Sequence, residues 1–502
     1  MSSKAENLYW EFLKSTQSEP YPNFVQYLSQ QKSTLRDEGR AAIIHFEDQH
    51  KPTVTICHTP TKLGKQLDRS ADSRVPVRRL MVLEGLSKQF VQVLGARLRV
   101  PPGLFSAHWT ATGAFVGNLV NRAPRQYDPQ TQFLVSFSKL HPVEIESLPD
   151  NSDPVYLMES GAFSPLSRST IFGGIDGPLN GPEQVSFWGT RDEEDWQGVI
   201  LVDPPLGDFV RWMKSNELRK VLRRSKIENL HVPDGNVQQG SWYPLFQSQE
   251  AMSHIPSDWS SSERTPRMES LFEDLILLYP LNVRKSTSDM YACTDICRRL
   301  VLSAWTARLR TIEIDISRER TNMRFQPVET GGIPKEHLEL SWTRPGHGED
   351  FGRLSRATAA LDSLHAEFVR NMDSLGITSE SGIVIPWEAD AWRHLERANQ
   401  LLKTRVDSIL QTYMQAITVR QTIDANEQAR QVGHLTSMAT IFIPISFVAA
   451  VFSMGGDFSA GAGLFWVFWV IAIPMVSIGC FLLFTRFGKR LLRRMSQEKS
   501  MV

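Results

Sequence analysis

Cysteine is scarce. Only Cys57, Cys293, Cys297 and Cys480 occur in 502 residues, and their spacing fits neither a disulfide framework nor a zinc ribbon, which suits a reducing compartment. Net charge is missing as well: basic and acidic residues number 55 each, so the chain carries no nucleic-acid footprint. No run of like charge stands out except Arg486, Lys489, Arg490, Arg493 and Arg494. No cleavable leader is expected, because Met1 to Pro20 holds Lys4, Glu6, Glu11 and Lys14 around no apolar core, and the acidic residues argue against a transit peptide. Catalytic patterns are lacking too. No Ser/His/Asp, Cys/His or paired-carboxylate arrangement sits in a motif context, so an enzyme is not expected. The stretch Gly173-Gly174-Ile175-Asp176-Gly177 is neither a Walker nor a GxGxxG loop and reads as a surface loop. Cys293 and Cys297 share a helix face and read as buried packing, and Cys57-His58 is as weak a metal signal. No cofactor is expected and no metal-ligand set is assigned.

Long apolar runs, by contrast, are present twice. Thr436 to Met454 and Leu464 to Phe484 each have the length a helix needs to cross a bilayer core, and neither contains a charge. The connector Gly455 to Gly463 lacks Lys and Arg while the basic cluster follows the second run. Positive-inside reasoning therefore places both termini in the cytosol and the connector outside. The second run holds thirteen Leu, Ile, Val or Phe residues, worth about 6 kcal/mol of insertion before Pro474 and Ser477 are subtracted. The first holds eight, diluted by Thr436, Ser437, Thr440, Pro444, Ser446 and Ser453, so it needs protein or water beside it. Ala439, Ile443, Ser446, Ala450 and Ser453 fall on one small, partly polar helix face. Such a face serves either as a helix-to-helix contact or as a pore lining.

Upstream, residues 1–75 are polar and mixed and are expected to form a loosely structured extension. Residues 76–289 carry α/β patterning, with strand-like Arg78 to Glu84 and Gly198 to Asp203 and a helix-like Leu86 to Leu98. Residues 290–385 read as a helical pair, Met290 to Phe325 and Leu354 to Met372, interrupted by the Pro- and Gly-rich Pro327 to Gly352. Residues 386–434 form a stalk helix starting at Pro386, residues 435–484 the transmembrane hairpin, and residues 485–502 a basic cytosolic tail. The positions Trp392, Leu395, Asn399, Leu402, Val406, Ile409, Tyr413, Ala416, Arg420 and Ile423 follow coiled-coil spacing. That seam pairs either within one subunit or between copies around an axis, and the polar Asn399 and Arg420 favour the second. The fold class is α+β.

The run Asn426 to Met454, with its Thr-rich entry and Phe442-Ile443-Pro444 step, resembles the stalk-to-pore segment of CorA-like divalent cation transporters. Trp466 to Pro474 is similar to the second span of eukaryotic members. Arg79 to Ser87, Leu94-Gly95 and Pro102-Gly103-Leu104-Phe105 with His108 resemble the opening of that group. The resemblance implies a cytosolic α/β funnel on long helices, two spans per subunit, and a homopentamer with the first span lining the pore in the plasma membrane. The family's Gly-Met-Asn signature falls on Ser453-Met454-Gly455, so only the methionine is kept. Its asparagine amide would hold the hydration shell of an incoming cation, which suits Mg²⁺ because that ion dehydrates reluctantly, and Gly455 has no side chain to do so. The next oxygen ligand is Asp457. If the helix persists that far, Asp457 joins the Ser446 face and forms an acidic ring at the pore mouth. If Gly455-Gly456 ends the helix, Asp457 is a loop residue. The reading is a divalent cation channel or transporter of altered selectivity, with the lipid bilayer and other copies of itself as partners. The alternative is a non-conducting scaffold or sensor on the same architecture.

Overall fold

The structure, a computed structural model, describes residues 4–16, 21–30, 40–48, 50–69, 77–110, 128, 130–141, 143–145, 155–159, 170–172, 179–204, 209–212, 217–223, 271–281, 287–323, 347–377 and 385–453. Beyond them it describes 463, 466, 467, 469–475, 477, 478 and 481. In chain order the elements are α1 (Lys4–Ser15), α2 (Tyr21–Gln30), β1 (Arg40–His45), β2 (Thr53–Cys57), α3 (Pro60–Arg69), β3 (Arg78–Glu84), α4 (Lys88–Leu98) and α5 (Pro102–Thr110). There follow β4 (Gln132–His141), β5 (Val143–Ile145), β6 (Val155–Glu159), β7 (Thr170–Phe172), β8 (Leu179–Asp192), β9 (Asp195–Val202), β10 (Phe209–Trp212) and β11 (Leu218–Arg223). Four helices complete the order: α6 (Leu271–Leu278), α7 (Asp295–Met323), α8 (His347–Ser374) and α9 (Pro386–Phe452). The fold is α+β, and it divides into two compact units, Met1–Asp407 and Ser408–Val502.

The sheet of the first unit runs β2-β1-β3-β9-β8-β7-β6-β10-β11-β5, with β4 paired to β8 off this path. Among the described strands only β3 and β9 pair in parallel, in the register Arg78↔Trp196 to Glu84↔Val202. Both are near-continuous apolar runs, as strands covered on both faces require. Met81 and Leu83 of β3, with Ala41 and Ile43 of β1 and Val199 and Leu201 of β9, face a core built with α1 to α5. On the other face Phe46 packs against Trp196 and edge-on against Tyr279. Gly95 permits the close approach of α1 to α4, since a Cβ there would fall inside the Tyr9 ring. The expected strand at 78–84 is thus recovered to the residue, the strand expected at 198–203 begins earlier, at Asp195, and the helix expected at 86–98 begins at Lys88.

The first 75 residues require a correction. Their described part is no loose extension: α1 and α2 bury Trp10, Leu13, Phe24 and Leu28, and β1 lies inside the sheet between β2 and β3. Each element is too short to repeat its apolar period more than once or twice, yet they share one buried core with β3, α4, α5 and β9. Arg97 clasps this layer by pairing with Glu6 and Asp68 and donating to the Gly64 carbonyl. Strands flank the stretch read as a surface loop, since β7 ends at Phe172 and β8 begins at Leu179. Residues 173–178 lie outside the described set.

The helices α7, α8 and the start of α9 pack on one another. The apolar stripe of α7, Ile296, Leu300, Trp305, Leu309, Ile312 and Ile316 at three- to five-residue steps, is buried throughout. Trp305 meets Phe368 of α8 edge-on at 4.9 Å, and Phe368 meets Trp392 of α9 at 6.2 Å. Arg298 and Glu388 form a buried ion pair between the start of α7 and the first turn of α9, where a helix N-terminus favours a carboxylate. Arg298 also donates to Thr294 Oγ1 at 3.1 Å and to the Tyr291 carbonyl at 3.2 Å.

Candidate functional site

The site proposed from sequence lies at the end of α9. One helix runs from Pro386 to Phe452, and its surroundings change along it. Trp392, Leu395, Asn399, Leu402 and Val406 are buried, and Asn399 donates to the Leu361 carbonyl of α8 at 3.0 Å. The first half of the seam is therefore spent inside the subunit, so its polar Asn399 is not an inter-copy register device. Ile423, in the second half, is exposed.

Beyond residue 434 several large apolar side chains point outward. Leu435, Met438, Phe442, Ile443 and Phe447 are each more than 60% exposed, which a helix alone in water does not tolerate as a contiguous patch. Of the pore-lining candidates, Ala439 is half-buried, while Ile443, Ser446 and Ala450 are exposed. Val448 and Ala472 are buried. In the second run Trp466, Trp469, Val470, Ile473, Ile478 and Phe481 are exposed as well. Among the described residues no helix is long and apolar enough to cross a membrane, and the runs 436–454 and 464–484 belong only in part to that set.

Ser453 sits just past the helix end. Its hydroxyl donates to the Ala450 carbonyl at 2.8 Å, and its amide reaches the Ala449 and Ala450 carbonyls at 3.0 and 3.2 Å. The first residue of the Ser-Met-Gly triplet thus serves its own helix terminus. With α9 ending at Phe452, the helical continuation that would carry Asp457 onto the Ser446 face does not hold through Ser453. Met454, Gly455 and Asp457 lie outside the described residues.

Two buried polar clusters were not anticipated from sequence. His108 of α5 places Nδ1 at 2.9 Å from Ser186 Oγ and Nε2 at 3.3 Å from Asp203 Oδ1. Asp203 Oδ2 also accepts from the Gln184 amide at 2.8 Å. All four side chains are under 5% exposed, so this Ser-His-Asp contact braces α5 to β8 and the end of β9 and is closed to a substrate. Cys293 and Cys297 are free and buried, and burial pushes the Cys297 thiol up to about 12, the behaviour of packing residues. Among the described residues no group of His, Cys, Asp or Glu could hold a metal ion.

The second cluster joins α8 to the outer edge of β4. Ser374 Oγ accepts from the Leu134 amide at 2.8 Å, and Asn371 Oδ1 from the Ser136 amide at 2.9 Å. Asn371 Nδ2 returns a hydrogen bond to the Ser136 carbonyl at 2.7 Å, which Trp305 Nε1 of α7 shares at 3.1 Å. Glu367, one turn before Asn371, lies buried beside Ser136, whose hydroxyl is 3.4 Å from both Glu367 Oε2 and Asn371 Oδ1. Burial lifts the Glu367 carboxyl to about 7, against the pull of Arg370, the Ser136 hydroxyl and Arg308. Pairs 231 to 240 residues apart leave no sequence signal.

No family model matches the chain, and no curated protein matches it. Among solved structures it is similar to the CorA magnesium transporter from Methanocaldococcus jannaschii, at 10% identity and a TM-score of 0.37, over 88% of this chain and 96% of that one.

Proposed function

We propose that the chain is a CorA-like membrane protein that assembles from several copies around the end of α9 and passes divalent cations with altered selectivity. The observation that carries this reading is the change along one unbroken helix, from side chains buried within the subunit at Trp392 to Val406 to outward-facing apolar side chains from Leu435 to Phe447. An apolar surface of that extent calls for lipid or further copies of the chain. Lipid suits the bulky Phe442 and Phe447. Neighbouring copies suit the small face of Ala439, Ser446 and Ala450, whose low volume leaves room for a cation on an axis. The exposed Trp466 and Trp469 fit an interfacial aromatic belt.

In this arrangement both termini are cytosolic, the connector lies outside a plasma membrane, and Asp457 is an acidic loop residue at the mouth. Gly455 presents no amide to hydrated Mg²⁺, so discrimination among divalent cations is weak and Asp457 attracts them by electrostatics that salt screens. The missing amide is also what favours the second reading, a non-conducting scaffold or sensor.

Purified protein in liposomes decides between them. Transport predicts measurable Mg²⁺ entry for the wild type, a rise with Gly455→Asn and a fall with Asp457→Asn. If wild type and Gly455→Asn are equally silent where a known family member conducts, the scaffold reading replaces transport.

A further inference from the structure

We infer that the polar end of the sheet face shared by β3, β9 and β8 is a phosphate-binding site, in which the Arg79 fork takes two oxygens, Thr190 takes a third, and the Gln197 side chain swings aside to admit them. Pairing register defines the place. Ile43, Met81 and Val199 stand opposite one another across β1, β3 and β9 and are buried in the core formed with α1 to α5. Residues two apart on a strand share a face, and directly opposed residues lie about 5 Å apart. One step along that face the apolar core stops and the next row is polar across five strands: Thr53, His45, Arg79, Gln197 and Thr190. Thr53 and Thr190 are exposed, His45 and Gln197 are half-buried, and Arg79 is 5% exposed. The row is thus deepest at the guanidinium and opens to solvent past Gln197 at Thr190.

The hydrogen bonds of Arg79 show what it can accept. Its Nη1 donates to the Leu67 carbonyl in the last turn of α3 at 3.3 Å, which anchors the side chain. The Nε and Nη2 edge is the fork that matches two oxygens of an oxyanion, and it converges on one neutral oxygen, Gln197 Oε1, at 3.3 and 2.9 Å. A single amide oxygen divided between two charged donors is a weak occupant, and a phosphate offers two anionic oxygens to the fork and a third to the Thr190 hydroxyl. The local field favours that exchange. His45, opposite Arg79 on its other side, is a second group able to carry positive charge. Burial and then Arg79 hold its imidazole below the usual range, against the pull of Glu47. Burial likewise brings the Arg79 guanidinium down to about 10, against the pull of Asp68, and Asp68 pairs with Arg97. Negative charge at the fork offsets both. The site lies in the first unit and does not depend on transport.

Isothermal titration calorimetry of the full-length protein in detergent tests it, with inorganic phosphate titrated at an ionic strength matched by chloride. Wild type should bind phosphate saturably. Arg79→Met should weaken binding about tenfold or more, the worth of a charge-assisted hydrogen bond, and Thr190→Val about threefold. Gln197→Ala removes the group to be displaced and should tighten binding about threefold, whereas Gln197→Glu lays a carboxylate of its own on the fork and should abolish binding. AMP in place of phosphate separates the sources: binding at least as tight assigns the site to a phosphate ester, and weaker binding assigns it to the free anion. No saturable binding of phosphate or AMP, as expected of a guanidinium that serves only to anchor α3, or equal affinity in Arg79→Met overturns the site. Should Arg79→Met fail to fold, a Gln197→Glu variant that binds phosphate as wild type does overturns it equally.

Discussion

Replacing Asn371 with alanine isolates how the outer edge of β4 is satisfied. The side chain is 2% exposed and exchanges two hydrogen bonds with one residue of the strand, 2.9 Å from the Ser136 amide and 2.7 Å to its carbonyl. After truncation the two backbone groups fare differently. The carbonyl keeps Trp305 Nε1 at 3.1 Å, so losing its second donor costs about 1 kcal/mol. The amide loses its Asn371 partner at a half-buried residue, at about 1 to 3 kcal/mol. The sum is about 2 to 4 kcal/mol, a large share of the stability of a typical domain. Ser374→Ala is the internal comparison, since it removes one bond to Leu134 at a half-buried position where water can substitute, for about 1 kcal/mol. Urea unfolding of the full-length protein in detergent, followed by tryptophan fluorescence, measures both. A loss under about 0.5 kcal/mol for Asn371→Ala, or equal losses for the two variants, would mean that α8 is not what satisfies this strand.

Three more outcomes are expected. Glu367 sits at about 7 in the folded chain against an ordinary 4.5, so the folded state binds the extra proton. Its contribution is full below about pH 4.5, is lost as pH rises through about 7, and amounts to about 3 kcal/mol at most; Glu367→Gln should flatten the urea midpoint across that window. Leu402→Asp buries a charge within the subunit and should lower the unfolding midpoint of the first unit by several kcal/mol, whereas Ile423→Asp, on the exposed half of the seam, should leave it within about 0.5 kcal/mol and reduce oligomer mass in detergent. Equal effects on both readouts would contradict this division of α9. A cysteine at Ser459 should react with an impermeant thiol reagent from outside intact cells, and reaction only after permeabilisation would invert the topology.

Long, strongly patterned elements were legible in the sequence: β3 and β9 from continuous apolar runs, α7 from its stripe, and the start of α9 from Pro386. The early elements were not, because α1 offers little more than Trp10 and Leu13 to a core that only the assembled sheet supplies. The seam of α9 illustrates a different limit. Heptad spacing states that Trp392 to Val406 will be covered but not by which chain, and α8 turns out to cover it. At the candidate pore the small face was readable from helical periodicity. Whether the helix runs past Gly455-Gly456 was left open by the sequence, and its end at Phe452, with the Ser453 hydroxyl turned onto the Ala450 carbonyl, depends on local geometry that composition does not encode.

The parallel pairing of β3 with β9 sets a timetable for synthesis. Residues 118 apart are neighbours in that pair, as Arg79 and Gln197 are. At about 5 to 20 residues per second, β3 waits about 6 to 24 s for its partner to be made, with β1 already able to occupy its other edge. Through that interval the nascent chain presents an open, strongly apolar strand edge, the kind of surface that templates association between chains. Ribosomes stalled between β3 and β9 should therefore carry the most chaperone-dependent form of this protein, and chains truncated there should aggregate where chains extended past Val202 do not.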